Sequence, residues 1–313
     1  MKAQYHQFCQ SEPGLPIFFQ DWYLDAVCQE GEWGVAMVEK GGQVKGVWTY
    51  FMKQKMGFKY LTMPNFVKFM GPYLTGTPSI TEQHQILTKL LSQIPPVASI
   101  KQDFYYSITN WLPLYWQNFQ QSTRYTYLLD VSNLQKVWDG ANRNIRRNIK
   151  KADDQIKIEH WDDPERFYLV NKKSFDRQNI AIPYTLAQFI RHDAALKIQA
   201  RRKFFFAVDQ RGQLHSASYV IWDDQVAYYH LAGDDPQFRQ QGAGILLIWK
   251  TIQFLHNELG INALDFEGSM IKNVEAIRRQ FGAIQTPYFS VSKNFSKTFN
   301  FLEKVRNLKG LFV

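Results

Sequence analysis

Arg239-Gln240-Gln241-Gly242-Ala243-Gly244 stands between a predicted strand and a long apolar helix. Glycines there let the backbone approach a ligand, and the free N–H groups of the first helical turn point at it. The segment is a candidate anion cradle; a plain turn ahead of a helix is the alternative. Downstream, Asp265 and Glu267 alternate along a predicted strand, with Gly268 just after them. A carboxylate at a strand end can take a proton from an amine, and burial raises a carboxylate's pKa toward neutrality. Glu267 is the first candidate base because it lies nearer the strand end, and Asp265 is the second. A carboxylate that caps the helix starting near Lys272, or pairs with an arginine, is the structural alternative. His230, within Tyr228-Tyr229-His230-Leu231, is a third candidate base or else a satisfied core histidine. Asp234 and Asp235 read as a turn before the glycine segment.

Arg143, Arg146, Arg147, Lys150 and Lys151 recur at helical spacing, with Ile145 and Ile149 on the opposite side. Five cations with no acid between them repel one another unless an anion offsets them, so this stripe is a candidate acceptor- or phosphate-binding face. A solvated helix face is the alternative. Trp111, Tyr115, Trp116 and Phe119 read mostly as core, and their polar neighbours also suit stacking on a sugar or an amphipathic acceptor.

The order strand, R-x-x-G-x-G, helix, strand, followed by Asn273 and a closing Phe281-Gly282, resembles the GNAT acetyltransferase fold over roughly residues 200–292. Leu264-Asp-Phe-Glu-Gly-Ser-Met270 and the basic run before Ala152 are similar to the Fem-type branch, which includes the transferases that build peptidoglycan cross-bridges. The resemblance implies that Arg239, Gln240, Gln241, Gly242, Ala243, Gly244 and Asn273 bind acetyl-CoA or another acyl-CoA as co-substrate. It implies too that strands 226–232 and 262–267 splay around the pantetheine arm. Two features depart from the pattern. Gln280 stands where GNAT enzymes carry a tyrosine acid, with Gly282 two residues early. No long helical arm of the kind Fem-type enzymes use for tRNA is visible.

The elements that must position these residues form two similar series. In the first half, Ile17–Cys28 has helical spacing with Phe18, Trp22 and Ala26 inward. Trp33–Glu39 and Val44–Phe51 form a hairpin around Gly41-Gly42, and Phe58–Met63 is a short strand. Residues 80–94 form a helix with Ile80, His84, Leu87 and Leu91 on one side, stopped by Pro95-Pro96. Val97–Tyr106 and Arg124–Asp130 are strands. In the second half, Asp163–Gln178 and Tyr184–Lys197 are helices, and Lys203–Asp209 and Leu214–Trp222 are a hairpin. Gln225–Ala232 is a strand, and Gly244–Leu259 a helix closed by Gly260. Asn262–Phe266 is a strand, Lys272–Phe281 a helix and Ile284–Ser292 a last strand. The class predicted is α/β: two tandem GNAT-like domains, each a mixed, mostly antiparallel sheet flanked by helices. The expected boundaries are an N-terminal domain over 1–132, a basic linking helix over 133–152, and an acyl-CoA-binding domain over 153–313.

The composition agrees with packed cores: 45% hydrophobic and 16% aromatic over 313 residues. Two cysteines, Cys9 and Cys28, exclude a disulfide scaffold and a cysteine-based metal finger. The histidines show no zinc spacing, so no metal is expected. No signal-peptide core is read at the start, and the longest uncharged run, Phe104–Thr123, is too polar to span a membrane. A cytoplasmic bacterial protein, at most peripheral to the membrane, is expected. Net charge is +9, and five of the cations fall in the nine residues 143–151, where there is no acid. A focused patch suits a phosphate or polyanionic ligand.

The expected reaction is acyl transfer from acyl-CoA to an amine, on an anionic or amine-bearing acceptor such as a cell-envelope precursor. Aminoacyl transfer from tRNA to such a precursor is the alternative within the same branch, weakened by the missing arm. A non-catalytic protein that holds acyl-CoA or a polyanion is the alternative from another class, favoured if Glu267 and His230 are buried and paired.

Overall fold

The computed structural model describes residues 1–238, 241–268 and 270–309. Helices α1 (Lys2–Ser11) and α2 (Asp21–Val27) flank one 3₁₀ turn at Ile17–Phe19. Strands β1 (Glu32–Lys40), β2 (Gln43–Lys55), β3 (Phe58–Thr62) and β4 (Pro72–Leu74) follow, then α3 (Ile80–Ser92), β5 (Ser99–Asp103), α4 (Leu112–Tyr115) and β6 (Gln120–Asp130). Next come α5 (Leu134–Gly140), α6 (Arg143–Asp153), β7 (Ile156–Glu159), α7 (Pro164–Asp176) and α8 (Leu186–Ile198). Then β8 (Arg202–Asp209), β9 (Leu214–Trp222), β10 (Val226–Asp234), α9 (Ala243–Phe254) and β11 (Ala263–Asp265) lead to α10 (Lys272–Gln280), β12 (Ile284–Asn294) and α11 (Lys297–Lys309).

Two compact units result: residues 1–124 with 287–313, and residues 125–286. The chain therefore divides differently from the expected 1–132 and 153–313, because the C-terminal strand and helix return to the first unit. In that unit β1, β2, β3 and β5 lie side by side, and Ser290–Asn294 of β12 pairs antiparallel with β5. Gly41 and Gly42 both take positive φ (62° and 74°), which closes the β1–β2 hairpin as the sequence predicts. The core holds Trp48, Leu61, Leu90, Ile100, Phe104 and Val291. Trp48 donates its indole N–H to Gln102 at 2.8 Å, so its one polar atom is satisfied inside.

Several faces turn differently from the periodic reading. Helix α1 was not expected from the sequence. Tyr23, Leu24 and Val27 form the buried side of α2, while Trp22 and Ala26 are half-buried. Helix α3 buries Ile86, Leu87 and Leu90 and leaves Ile80 68% exposed. Its start is set by a capping box between Ser79 and Glu82. In the aromatic stretch Phe119 is buried, but Tyr115 and Trp116 are exposed. Helix α4 is a single turn whose Pro113 and Leu114 take the inner side.

In the second unit the order is β6-β11-β10-β9-β8-β7, antiparallel except for the parallel pair β10–β11. Helices α6 and α9 pack together over a core of Ile145, Ile149, Leu246, Leu247, Ile252 and Phe266. The expected single linking helix is two helices, α5 and α6. The break falls at Ala141–Asn142, where Ala141 is extended and the Asn142 side chain caps α6 by accepting from Asn144 N–H. Helix α9 ends in a wider π-type turn over Leu255–Leu259, closed by Gly260 at φ 65°.

Candidate active site

Strand β10 carries the chain to Asp234, and the next turn is tied down before α9 begins. Lys173 reaches the Asp235 carboxylate at 2.5 Å, and Asp235 N–H donates to His215 C=O at 2.8 Å. The Phe238 ring lies flat on His215, with centroids 4.3 Å apart. Asp234 and Asp235 thus build the turn, as read. Arg239 and Gln240 lie outside the described residues. Gly242 caps α9 with φ 76° and ψ 11°, a left-handed conformation that glycine adopts without cost. The N–H groups of Ala243 and Gly244 precede the first bonds of the helix, which run from Ile245 and Leu246 to Gly242 C=O.

What crowds these glycines is the protein itself. A Cβ on Gly242 would face α6, 3.5 Å from Asn148 C=O, so this glycine is required by its φ angle rather than by lack of space. A Cβ on Gly244 would come within 2.9 Å of Asp234 Oδ1, a carboxylate held by Ser216 Oγ at 2.6 Å. Asn273 is exposed on the first turn of α10. Gln280 ends that helix, and its C=O accepts from Asn142 N–H at 2.8 Å.

The parallel ladder joins Val226 to Ala263, Ala227 to Leu264 and Tyr228 to Asp265. Beyond these pairs the register of β10 against β9 shifts between Tyr228 and Leu231. That irregularity carries Tyr229 and His230. Strand β11 stops at Asp265, so Glu267 is not placed by strand alternation, contrary to the sequence reading. It sits in a turn with φ 53°, and Gly268 follows with φ 65°. A Cβ on Gly268 would meet Tyr125 C=O at 2.1 Å, so only glycine fits there. Asp265 fixes this turn. Its buried Oδ1 accepts from Glu267 N–H at 2.7 Å and from the Thr126 hydroxyl.

The turn aims Glu267 at His230. The imidazole Nδ1 and carboxylate Oε1 are 2.6 Å apart, with side-chain exposures of 2% and 14%. Two residues missed by the sequence reading join them. His192 of α8 is buried with its ring 5.2 Å from that of His230. Burial, reinforced by His230, holds its pKa well below the usual imidazole value, so it is neutral. Arg278 of α10 lies over the rings of Tyr229 (5.4 Å) and Phe266 (5.0 Å). Its Nε is buried and makes no hydrogen bond. Burial lowers its pKa, against the pull of Tyr229, Asp234 and Glu267. Nothing in the spacing of α10 distinguishes Arg278 from Arg279, which pairs with Glu275 at 2.9 Å on the surface.

The basic stripe takes the expected face of α6, since Ile145 and Ile149 are buried while Arg143, Arg147, Lys150 and Lys151 are exposed. Arg146 is half-buried, 3.9 Å from Asp139. Among the described residues no cluster of three His, Cys, Asp or Glu could hold a metal ion. No helix among them is long and apolar enough to cross a membrane.

Residues 140–272 match the family model described as an acetyltransferase (GNAT) domain. The fold is similar to the crystal structure of FemX, with TM-score 0.70 and 13% identity over 92% of this chain and 95% of that one. It is also similar to a tandem GNAT protein from the clavulanic acid biosynthesis pathway, with TM-score 0.55 and 12% identity over 94% and 95%. L-PGS from Bacillus licheniformis aligns with TM-score 0.52 and 6% identity over 92% and 90%. No curated protein matches. Residues 140–272 thus match a GNAT acetyltransferase domain, and the fold of the chain is similar to those of FemX and the tandem GNAT protein.

Proposed function

We propose that the protein moves an acyl group, in the first instance acetyl from acetyl-CoA, to an amine. The observation that carries this reading is the 2.6 Å pair of His230 and Glu267, set where β10 and β11 cease to be paired. Glu267 takes the proton that the amine loses as it attacks the thioester carbonyl. His230 shares a hydrogen bond with that carboxylate, and Asp265 holds its backbone. Asp265 is then a positioning residue rather than a base. A thiolate leaves with a conjugate-acid pKa near 8.5, so the missing tyrosine acid is tolerated. The donor's pyrophosphate is offered the N–H groups of Ala243 and Gly244, the loop that includes Arg239, Gln240 and Gln241, and Asn273 of α10. Arg278 supplies a nearby half-buried cation.

A second reading has support of its own. The exposed cations of α6 belong to the helix that faces Gly242, and they offer more positive charge than one pyrophosphate needs. That arrangement suits a polyanionic donor such as aminoacyl-tRNA, with a cell-envelope precursor as acceptor at the cytoplasmic face of the membrane. The pairing of a buried His230 with a half-buried Glu267 goes part of the way toward a non-catalytic holder. A carboxylate hydrogen-bonded to imidazole is equally a working base, and the acetyltransferase domain favours catalysis. Calorimetric titration with acetyl-CoA and with charged tRNA decides the donor. Thiol release against a panel of amines then decides catalysis. Binding of acetyl-CoA with no thiol release from any amine would sink the enzyme reading in favour of the holder.

A further inference from the structure

A cavity of about 520 Å³ opens in the first unit between the end of α3, β5, the α4 segment and the end of β12. Its size lies within the roughly 300–1,000 Å³ of sites that take organic ligands. Leu91, Ile94, Val97, Ile100, Phe119 and Phe295 supply most of its wall. Among the described residues the wall holds no acidic side chain, and its one charged group is Lys293. The Lys293 ammonium lies 5.2 Å from the Phe119 ring and 4.7 Å from the Phe295 ring. It donates to Gln117 C=O at 2.5 Å. An ammonium has three donors, so two remain for a ligand. Around the α4 side, Leu112, Tyr115 and Trp116 are 44%, 58% and 57% exposed, and Phe295 is 50% exposed. Exposed apolar side chains gathered beside an apolar cavity mark a binding surface.

We propose that this cavity binds a single hydrocarbon chain ending in a carboxylate, with the chain along the aliphatic wall and the carboxylate on Lys293. The wall argues for a chain. Leu91, Ile94, Val97 and Ile100 come from consecutive segments and make a continuous aliphatic wall, with Thr88, Ser92 and Gln117 as its uncharged polar side chains. The charge argues for the head group. The Lys293 ammonium sits beside two apolar rings, and a carboxylate gives it charge-assisted hydrogen bonds.

The test is calorimetric titration of the full chain with laurate, dodecanol and dodecyltrimethylammonium, each below its critical micelle concentration. Laurate is expected to bind best. Lys293→Met is expected to weaken laurate by about tenfold or more, the worth of a charge-assisted hydrogen bond, and to leave dodecanol unchanged. Thr88→Trp changes an exposed position of α3 that lines the cavity, and should weaken laurate and dodecanol alike. Absence of saturable laurate binding overturns the proposal. So does dodecyltrimethylammonium binding as tightly as laurate, or laurate binding unchanged in both variants. If Thr88→Trp does not fold, Lys293→Met and the head-group series decide alone.

Discussion

His230 and Glu267 meet at 2.6 Å although the ladder between their strands has already ended at Tyr228 and Asp265. Two local distortions make this contact: the register shift in β10 and the left-handed turn at Glu267. A non-glycine residue in that conformation costs energy and persists only where the surroundings hold it. Here the Asp265 carboxylate and the Gly268 turn do so. Glu267→Gln is expected to lower turnover by about 10²–10⁴-fold with little change in donor affinity. Gln280→Tyr should change little. Full turnover in Glu267→Gln with loss in His230→Gln would transfer the role of base to His230.

Asp265→Asn tests positioning. The amide keeps one acceptor but adds donors in a fully buried place, so stability should fall by about 1–3 kcal/mol. Turnover should fall with it, because the Glu267 turn loosens. The useful reading is the double variant. If Asp265 only positions Glu267, adding Asp265→Asn to Glu267→Gln lowers turnover little further; if the two losses multiply, Asp265 acts on its own.

How much of this was legible in the sequence depended on the range of the forces involved. The hairpins, α9 and the stripe on α6 follow from local rules: glycine turns, helical spacing and charge against apolar residues. The buried Ile145 and Ile149 were read for that reason. His192 and Arg278 were not, because their roles come from the packing of α8 and α10 against β10 and β11. Ile80 was placed inside because it fits the helical period, but it is the first residue of α3, where the capping box turns the chain to solvent. The division of the chain was missed for a similar reason: β12 starts in one unit and ends in the other, and no residue pattern announces a return to β5. The reading of Glu267 on a strand fails because that strand ends at Asp265, and a left-handed turn places Glu267 instead.

Gly242 and Gly244 make separate predictions about the donor. Gly242→Ala has room for its methyl group but must hold φ near 76°, which costs roughly 1–2 kcal/mol. Gly244→Ala instead displaces Asp234 from the helix start. Both should weaken acetyl-CoA binding, and Gly242→Ala should also lower the urea midpoint. Unchanged acetyl-CoA affinity in both variants, measured by calorimetry, would move the donor site away from α9.

The stripe on α6 predicts a salt signature. Reversing Arg146 and Arg147 to glutamate should weaken binding of a polyanionic ligand strongly at low ionic strength and less at high, because exposed charges are screened within about 10 Å at 0.1 M salt. Arg147 is exposed and Arg146 only loosely paired with Asp139, so folding should survive. Charged tRNA and acetyl-CoA are the two ligands to compare. A large loss for tRNA alone favours the aminoacyl donor, and an equal, salt-independent effect on both leaves the stripe without an electrostatic role.

His192 predicts how stability responds to acid. Burial, with His230 adding to it, depresses its folded pKa far below the ordinary imidazole value of about 6.5. As pH falls through about 6.5 the unfolded chain takes up a proton at this position and the folded chain does not. The contribution of His192 is therefore fully present above that pH. It is lost below it, at up to about 1.4 kcal/mol per pH unit until the folded pKa is reached. His192→Phe removes the titration and leaves a ring of similar breadth beside Phe189 and Tyr219. Urea midpoints measured at about pH 7.5 and about pH 5.5 should fall steeply for the parent chain and less for the variant. Equal falls in the two proteins would mean that His192 is not the group whose protonation weakens the fold.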